Sequence, residues 1–162
     1  MYKIKLSILL LTSFFIFSCT NNQNHSFSQK YSLAYIGGEF DGLLLKNYLL
    51  FSLRNLDIYD PNSIYEISAS ISHSSNLYIT NIENTSEREK INTNLSFQVT
   101  NILSECEVIA DNVHVSQFFI YAPSTKFLSN QTALQKIKKD NTESAVKQLI
   151  NNLRTVKNKC DE

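Results

Sequence analysis

The apolar positions change period several times along the chain, and each change marks a different element. Residues 6–17 (LSILLLTSFFIF) are almost uniformly apolar, and residues 20–30 (TNNQNHSFSQK) are almost uniformly polar. Residues 31–36 (YSLAYI) form a short β-prone run closed by Gly37-Gly38. Residues 43–56 (LLLKNYLLFSLRNL) are apolar on nearly every side, interrupted by Lys46, Asn47, Ser52, Arg54 and Asn55. That pattern predicts a buried helix with Asp41 as its N-cap, too short to be a comfortable membrane span. Asp60-Pro61-Asn62 is a turn. From Ile64 the period becomes two: Tyr65, Ile67, Ala69 and Ile71 share one face, and Glu66, Ser68, Ser70 and Ser72 share the other. Leu77 to Ile79 continues this strand after a break at Ser74-Ser75-Asn76.

A polar hairpin over 81–89 leads to a second alternating run. In it Ile91, Leu95, Phe97, Val99 and Leu103 share a face with Thr93 and Asn101, while Asn92, Asn94, Ser96, Gln98 and Thr100 face water. After a turn at 104–107, residues 113–121 (VHVSQFFIY) read as the last strand, stopped by Ala122-Pro123. Between Thr132 and Lys159, Ala133, Ile137, Ala145, Val146, Leu149, Ile150, Leu153 and Val156 recur at helical spacings, with a break expected near Asp140-Asn141-Thr142.

The order β-α-β-β-β-α predicts an α+β fold, a two-layer sandwich. The first two strands, separated by a helix, can pair in parallel, and the hairpin-linked strands must be antiparallel. The sheet is therefore about four-stranded and mixed, mostly antiparallel, with two helices on one face. Its serine- and asparagine-rich outer face suits a sheet wet on one side.

The amino terminus then changes the picture. Lys3 and Lys5, the apolar run, and the small residue Ser18 before Cys19 make up a secretory signal. Ile16-Phe17-Ser18-Cys19 resembles the bacterial lipobox, in which the cysteine is acylated and becomes the mature amino terminus. Residues 1–18 are then a signal peptide, 19–30 a flexible tether and 31–162 the folded domain. Acyl chains on Cys19 exceed the marginal binding of a single chain. Thr20 stands where an aspartate would resemble an inner-membrane retention signal, so the outer membrane, facing the periplasm, is the expected location.

Charge and reactive residues exclude more than they suggest. The chain carries 15 basic and 15 acidic residues, and loss of Lys3 and Lys5 tips the mature form slightly negative, so no nucleic-acid partner is indicated. Cys106 and Cys160 would meet an oxidising compartment. Either they bridge, which requires the turn at 104–107 to lie near the chain after the last helix, or they are two separate thiols. His25 falls in the tether, and His73 and His114 fall on different strands that could approach without a third ligand, so neither a metal nor another cofactor is expected. No nucleophile motif, phosphate loop or acid and base pair stands out, and an enzyme is not expected. Arg88 and Lys90 flank the start of the third strand and Lys126 follows the fourth, where each could meet a lipid phosphate.

These parts together resemble the lipopolysaccharide-assembly lipoprotein LptE family. The most specific stretches are EREKINTNLSFQVTNI and VHVSQFFIYAPSTKFLSNQTALQKIKKDNTESAVKQLINNL, the latter ending in Leu149 and Leu153 at the spacing of the family's closing helix. The resemblance implies a protein that plugs and helps assemble the β-barrel LptD and binds lipopolysaccharide, with Arg88 and Lys126 nearest to the family's lipid-contacting basic residues. The competing reading is an accessory lipoprotein of a phospholipid-transport ABC system; a hydrolase is the third.

Overall fold

Six elements follow in the expected order: β1 (Ser32–Gly37), α1 (Gly42–Asn55), β2 (Tyr65–Ile79), β3 (Glu87–Asn101), β4 (Cys106–Ile120) and α2 (Phe127–Thr155). The computed structural model describes residues 27, 29–38, 41–79, 87–122, 126–155 and 160; the signal segment, Cys19 and most of the tether lie outside them. The strands form one sheet in the order β1-β2-β3-β4. β1 pairs with β2 in parallel, and the other two pairings are antiparallel.

One apolar core joins the sheet to both helices. Leu45, Leu49 and Leu53 recur every fourth residue, one stripe of α1, and are fully buried. From α2 come Ala145, Val146, Leu149, Ile150 and Leu153, and from the sheet Ile67, Ile71, Leu95, Phe97, Val99 and Val113. Ser70, Ser72, Asn94, Ser96, Gln98 and Asn112 stand exposed on the other face, as strand alternation requires.

Several boundaries and orientations differ from the sequence reading. β2 has no break at Ser74-Ser75-Asn76, because β3 supplies a partner for each of these residues: Asn92, Ile91 and Lys90. β4 begins at Cys106, and a bulge beside Val99 and Thr100 absorbs the change of register that hid its first half. Asn92 is buried in the central strand, and Leu103 is exposed in the β3–β4 turn. α2 starts at Phe127 and runs through Asp140-Asn141-Thr142 unbroken. Thr142 donates from Oγ1 to the Lys138 carbonyl (2.8 Å) and Asn141 from Nδ2 to the Ile91 carbonyl (3.4 Å), so both are accommodated as buried helical residues.

The crossover from β1 into α1 depends on Gly38. Its φ of +123° lies outside what side chains readily adopt, and a Cβ there would sit 2.5 Å from the Ile71 carbonyl oxygen. Asp41, read as an N-cap, makes no capping hydrogen bond. Its carboxylate turns instead toward His73, 3.5 Å from Nε2.

Candidate functional site: the hairpin end

The ladders between β2, β3 and β4 carry the basic residues to one end of the sheet. Lys90 is paired with Asn76 on one side and Phe118 on the other, and Arg88 is paired with Ile120. Alternation places Lys90, Arg88, Phe118 and Ile120 on the outer face, where Lys90 Nζ lies 5.9 Å from the centre of the Phe118 ring. Arg88, Phe118 and Ile120 are exposed.

Lys126 reaches the same end by a different route. The Ala122 amide donates to Asn130 Oδ1 (3.0 Å), and Asn130 Nδ2 donates back to the Ala122 carbonyl (3.1 Å). This reciprocal clamp, on a buried asparagine, fixes the first turn of α2 beside the end of β4. Lys126, Phe127 and Leu128 are thereby held exposed next to the hairpin end. Glu89 is occupied by the Tyr121 hydroxyl, which donates to its Oε2. The end thus presents Arg88 and Lys90 on the outer face beside Phe118 and Ile120, and Lys126 on the helix side beside Phe127 and Leu128, cations next to apolar groups that suit a molecule with both anionic and apolar parts.

The histidines are not brought together. His114, exposed, has Nδ1 2.7 Å from Asn94 Oδ1 on the outer face. His73 lies on the helix side, with Nδ1 2.7 Å from Thr93 Oγ1 and its side chain only 3% exposed. Burial is the main cause pushing its pKa below the usual histidine value; the Asp41 carboxylate opposes this and Lys138 adds to it. Among the described residues no group of three His, Cys, Asp or Glu side chains could hold a metal ion. Nor is any helix of the described residues long and apolar enough to cross a membrane.

Cys106 and Cys160 are joined in a disulfide, at a Cα separation of 6.0 Å. It ties the start of β4 to the chain beyond α2, at the end of the sheet opposite the hairpin. The Asn130 clamp was not legible in the sequence: an asparagine within a helix carries no local sign that its partner is eight residues earlier.

No protein-family model matches the chain, and no curated protein does. The fold is similar to that of rare lipoprotein B from Shewanella oneidensis, with a TM-score of 0.62 and 12% identity over 77% of this chain and 93% of that one. A minor lipoprotein from Acinetobacter baumannii gives 0.57 and 12%, over 78% and 90%. A lipoprotein from Caulobacter crescentus gives 0.54 and 15%, over 77% and 88%. At these identities the likeness establishes the fold.

Proposed function

We propose that the protein is a lipid-anchored outer-membrane lipoprotein of the LptE kind, which binds and supports the β-barrel LptD and handles lipopolysaccharide in transit to the cell surface. The observation that carries this reading is the hairpin end, where Arg88 and Lys90 stand beside Phe118 and Ile120 on the outer face and Lys126 beside Phe127 and Leu128 on the helix side. Cations of this kind pair with phosphates, and the apolar groups beside them suit acyl chains. The fold shared with three bacterial lipoproteins supports the reading, as do the lipobox-like Ile16-Phe17-Ser18-Cys19 and a disulfide of the sort that persists in an oxidising compartment. The serine- and asparagine-rich outer face, with a shallow depression between Tyr35, Ser70, Ser96 and Asn112, fits a wet interface with a polar barrel interior.

The test is recovery of partners from detergent-solubilised outer membranes, identified by mass spectrometry. A barrel protein should co-purify, and depletion of the lipoprotein should lower correctly assembled barrel. Recovery of an inner-membrane permease instead, or unchanged barrel on depletion, contradicts the proposal. Changing both Arg88 and Lys126 to Glu should weaken lipopolysaccharide binding about tenfold or more, as expected when two phosphate contacts become repulsive, and leave the circular dichroism spectrum unaltered.

A further inference from the structure

A second apolar group is exposed at the opposite end of the sheet. Ile102 and Leu103 follow β3 in its turn into β4 and are 46% and 77% exposed; Ile64, just before β2, is 36% exposed. The Ile102 amide donates to the Ile64 carbonyl (2.9 Å), which sets Ile64 beside Ile102, and Leu103 is the next residue of the turn. The turn is held in shape from within. Asn101 Oδ1 accepts from the amides of Leu103 (3.0 Å) and Ser104 (3.4 Å), and Glu105 takes a left-handed φ of 51°.

The amino-terminal segment joins the domain beside this patch. Ser63 Oγ, next to Ile64, donates to the Lys30 carbonyl (2.5 Å), and Phe27 packs against the core under the Arg154 guanidinium, 5.2 Å from its ring. From Cys19 to Phe27 the chain advances eight residues, at most about 29 Å fully extended. β3 alone is 15 residues long, roughly 50 Å at strand rise. A membrane anchor at Cys19 therefore cannot let the domain stand on its hairpin end, whereas the Ile64, Ile102 and Leu103 patch lies well within its reach.

We infer that, in the anchored protein before it engages a partner, this patch rests at the headgroup and acyl boundary of the periplasmic leaflet, with Leu103 foremost, and turns the hairpin end toward the periplasm. The inference rests on the acylation of Cys19 in the function proposed above. The patch is too small to hold a bilayer unaided; the anchor makes its contact an intramolecular event at high effective concentration. Glu105 lies in the same turn and Asp60 near Ser63, while Lys30 and Arg154 flank the segment that joins there, so charges of both signs border the patch and burial of its apolar surface is what drives the contact.

The chain contains no tryptophan, so a single introduced indole reports its own position. Full-length acylated protein carrying Leu103→Trp is reconstituted into phosphatidylethanolamine and phosphatidylglycerol vesicles, with and without bromine on the acyl chains. Leu128→Trp reports the hairpin end and Ile102→Trp is a second reporter on the patch. Leu103→Trp emission should be about twofold lower in the brominated vesicles, as for a side chain at the interfacial boundary, while Leu128→Trp emission is unchanged. Protein that floats with the vesicles but leaves both patch reporters unquenched overturns the inference and leaves the anchor standing. A Leu103→Trp shift that requires added barrel protein also overturns it, in favour of a protein contact. Failure to incorporate palmitate or to float overturns the anchor and the inference together.

Discussion

His73 joins three elements through two ring nitrogens. It sits on β2, meets Thr93 of β3 at 2.7 Å, and faces Asp41 at the head of α1 across 3.5 Å. Nε2 lacks a hydrogen-bond partner, as does the buried Asn141 Oδ1, and burial disfavours the charged form of the ring. The charged groups facing it are Asp41 and Lys138, and burial outweighs the favourable Asp41. A histidine whose folded pKa lies below the unfolded value binds a proton more readily when unfolded. Its contribution is therefore fully present above the ordinary value of 6.5 and is lost as pH falls through the folded value. Urea midpoints of the wild type should hold steady above the ordinary histidine value of 6.5 and fall on acidification below it, with a shallower fall in H73Q; equal slopes would rule out His73 as the group responsible. None of this was legible locally. Asp41 precedes a helical run and reads as a cap, but its partner is 32 residues further along the chain.

At the scale of the element, the alternation of β3 and the stripe of α2 were legible because each buries one face of a regular period. What the sequence obscured were elements held by their neighbours. Ser74-Ser75-Asn76 has poor strand propensity, yet pairing along β3 keeps it extended, as tertiary context often does. Asp140-Asn141-Thr142 likewise stays helical because Asn141 reaches the Ile91 carbonyl of β3 and Thr142 bonds the Lys138 carbonyl one turn back in its own helix. α1 shows the opposite failing: its run is apolar nearly all round, but only one stripe is in the core, and Leu43 and Phe51 are exposed. Leu49→Ala should accordingly cost about 2–5 kcal/mol, whereas Leu43→Ala should stay within about 0.5 kcal/mol of the wild type. Urea denaturation checks both, and similar losses would mean that the exposed side of α1 is covered by something else. The basic residues divide in the same way. Arg88 and Lys90 follow from the strand pattern, while the placing of Lys126 follows from the Asn130 clamp.

Taken whole, the molecule has two unlike ends joined by long strands. The hairpin end carries the three cations; the other gathers the amino-terminal segment, the β3–β4 turn and the disulfide. The disulfide spans 54 residues, a stretch that includes all of β4 and α2. Without it the end of α2 is held to the sheet by the packing of Leu149, Ile150 and Leu153 and by the hydrogen bond that Asn152 Nδ2 donates to Asp111 Oδ2 of β4 (2.8 Å). Restricting a loop of that length in the unfolded chain stabilises the native state by about 4 kcal/mol, less any strain in the native bridge. The double substitution Cys106→Ser and Cys160→Ser should therefore lower unfolding stability by about 2–5 kcal/mol, and reductant should bring the wild type to the same value while leaving the variant unchanged. Since α2 covers β3 and β4, amide exchange should rise first over its last two turns. A wild-type denaturation curve indifferent to reductant would show that packing and the Asn152–Asp111 hydrogen bond secure the helix, and that the bridge adds nothing to the folded state.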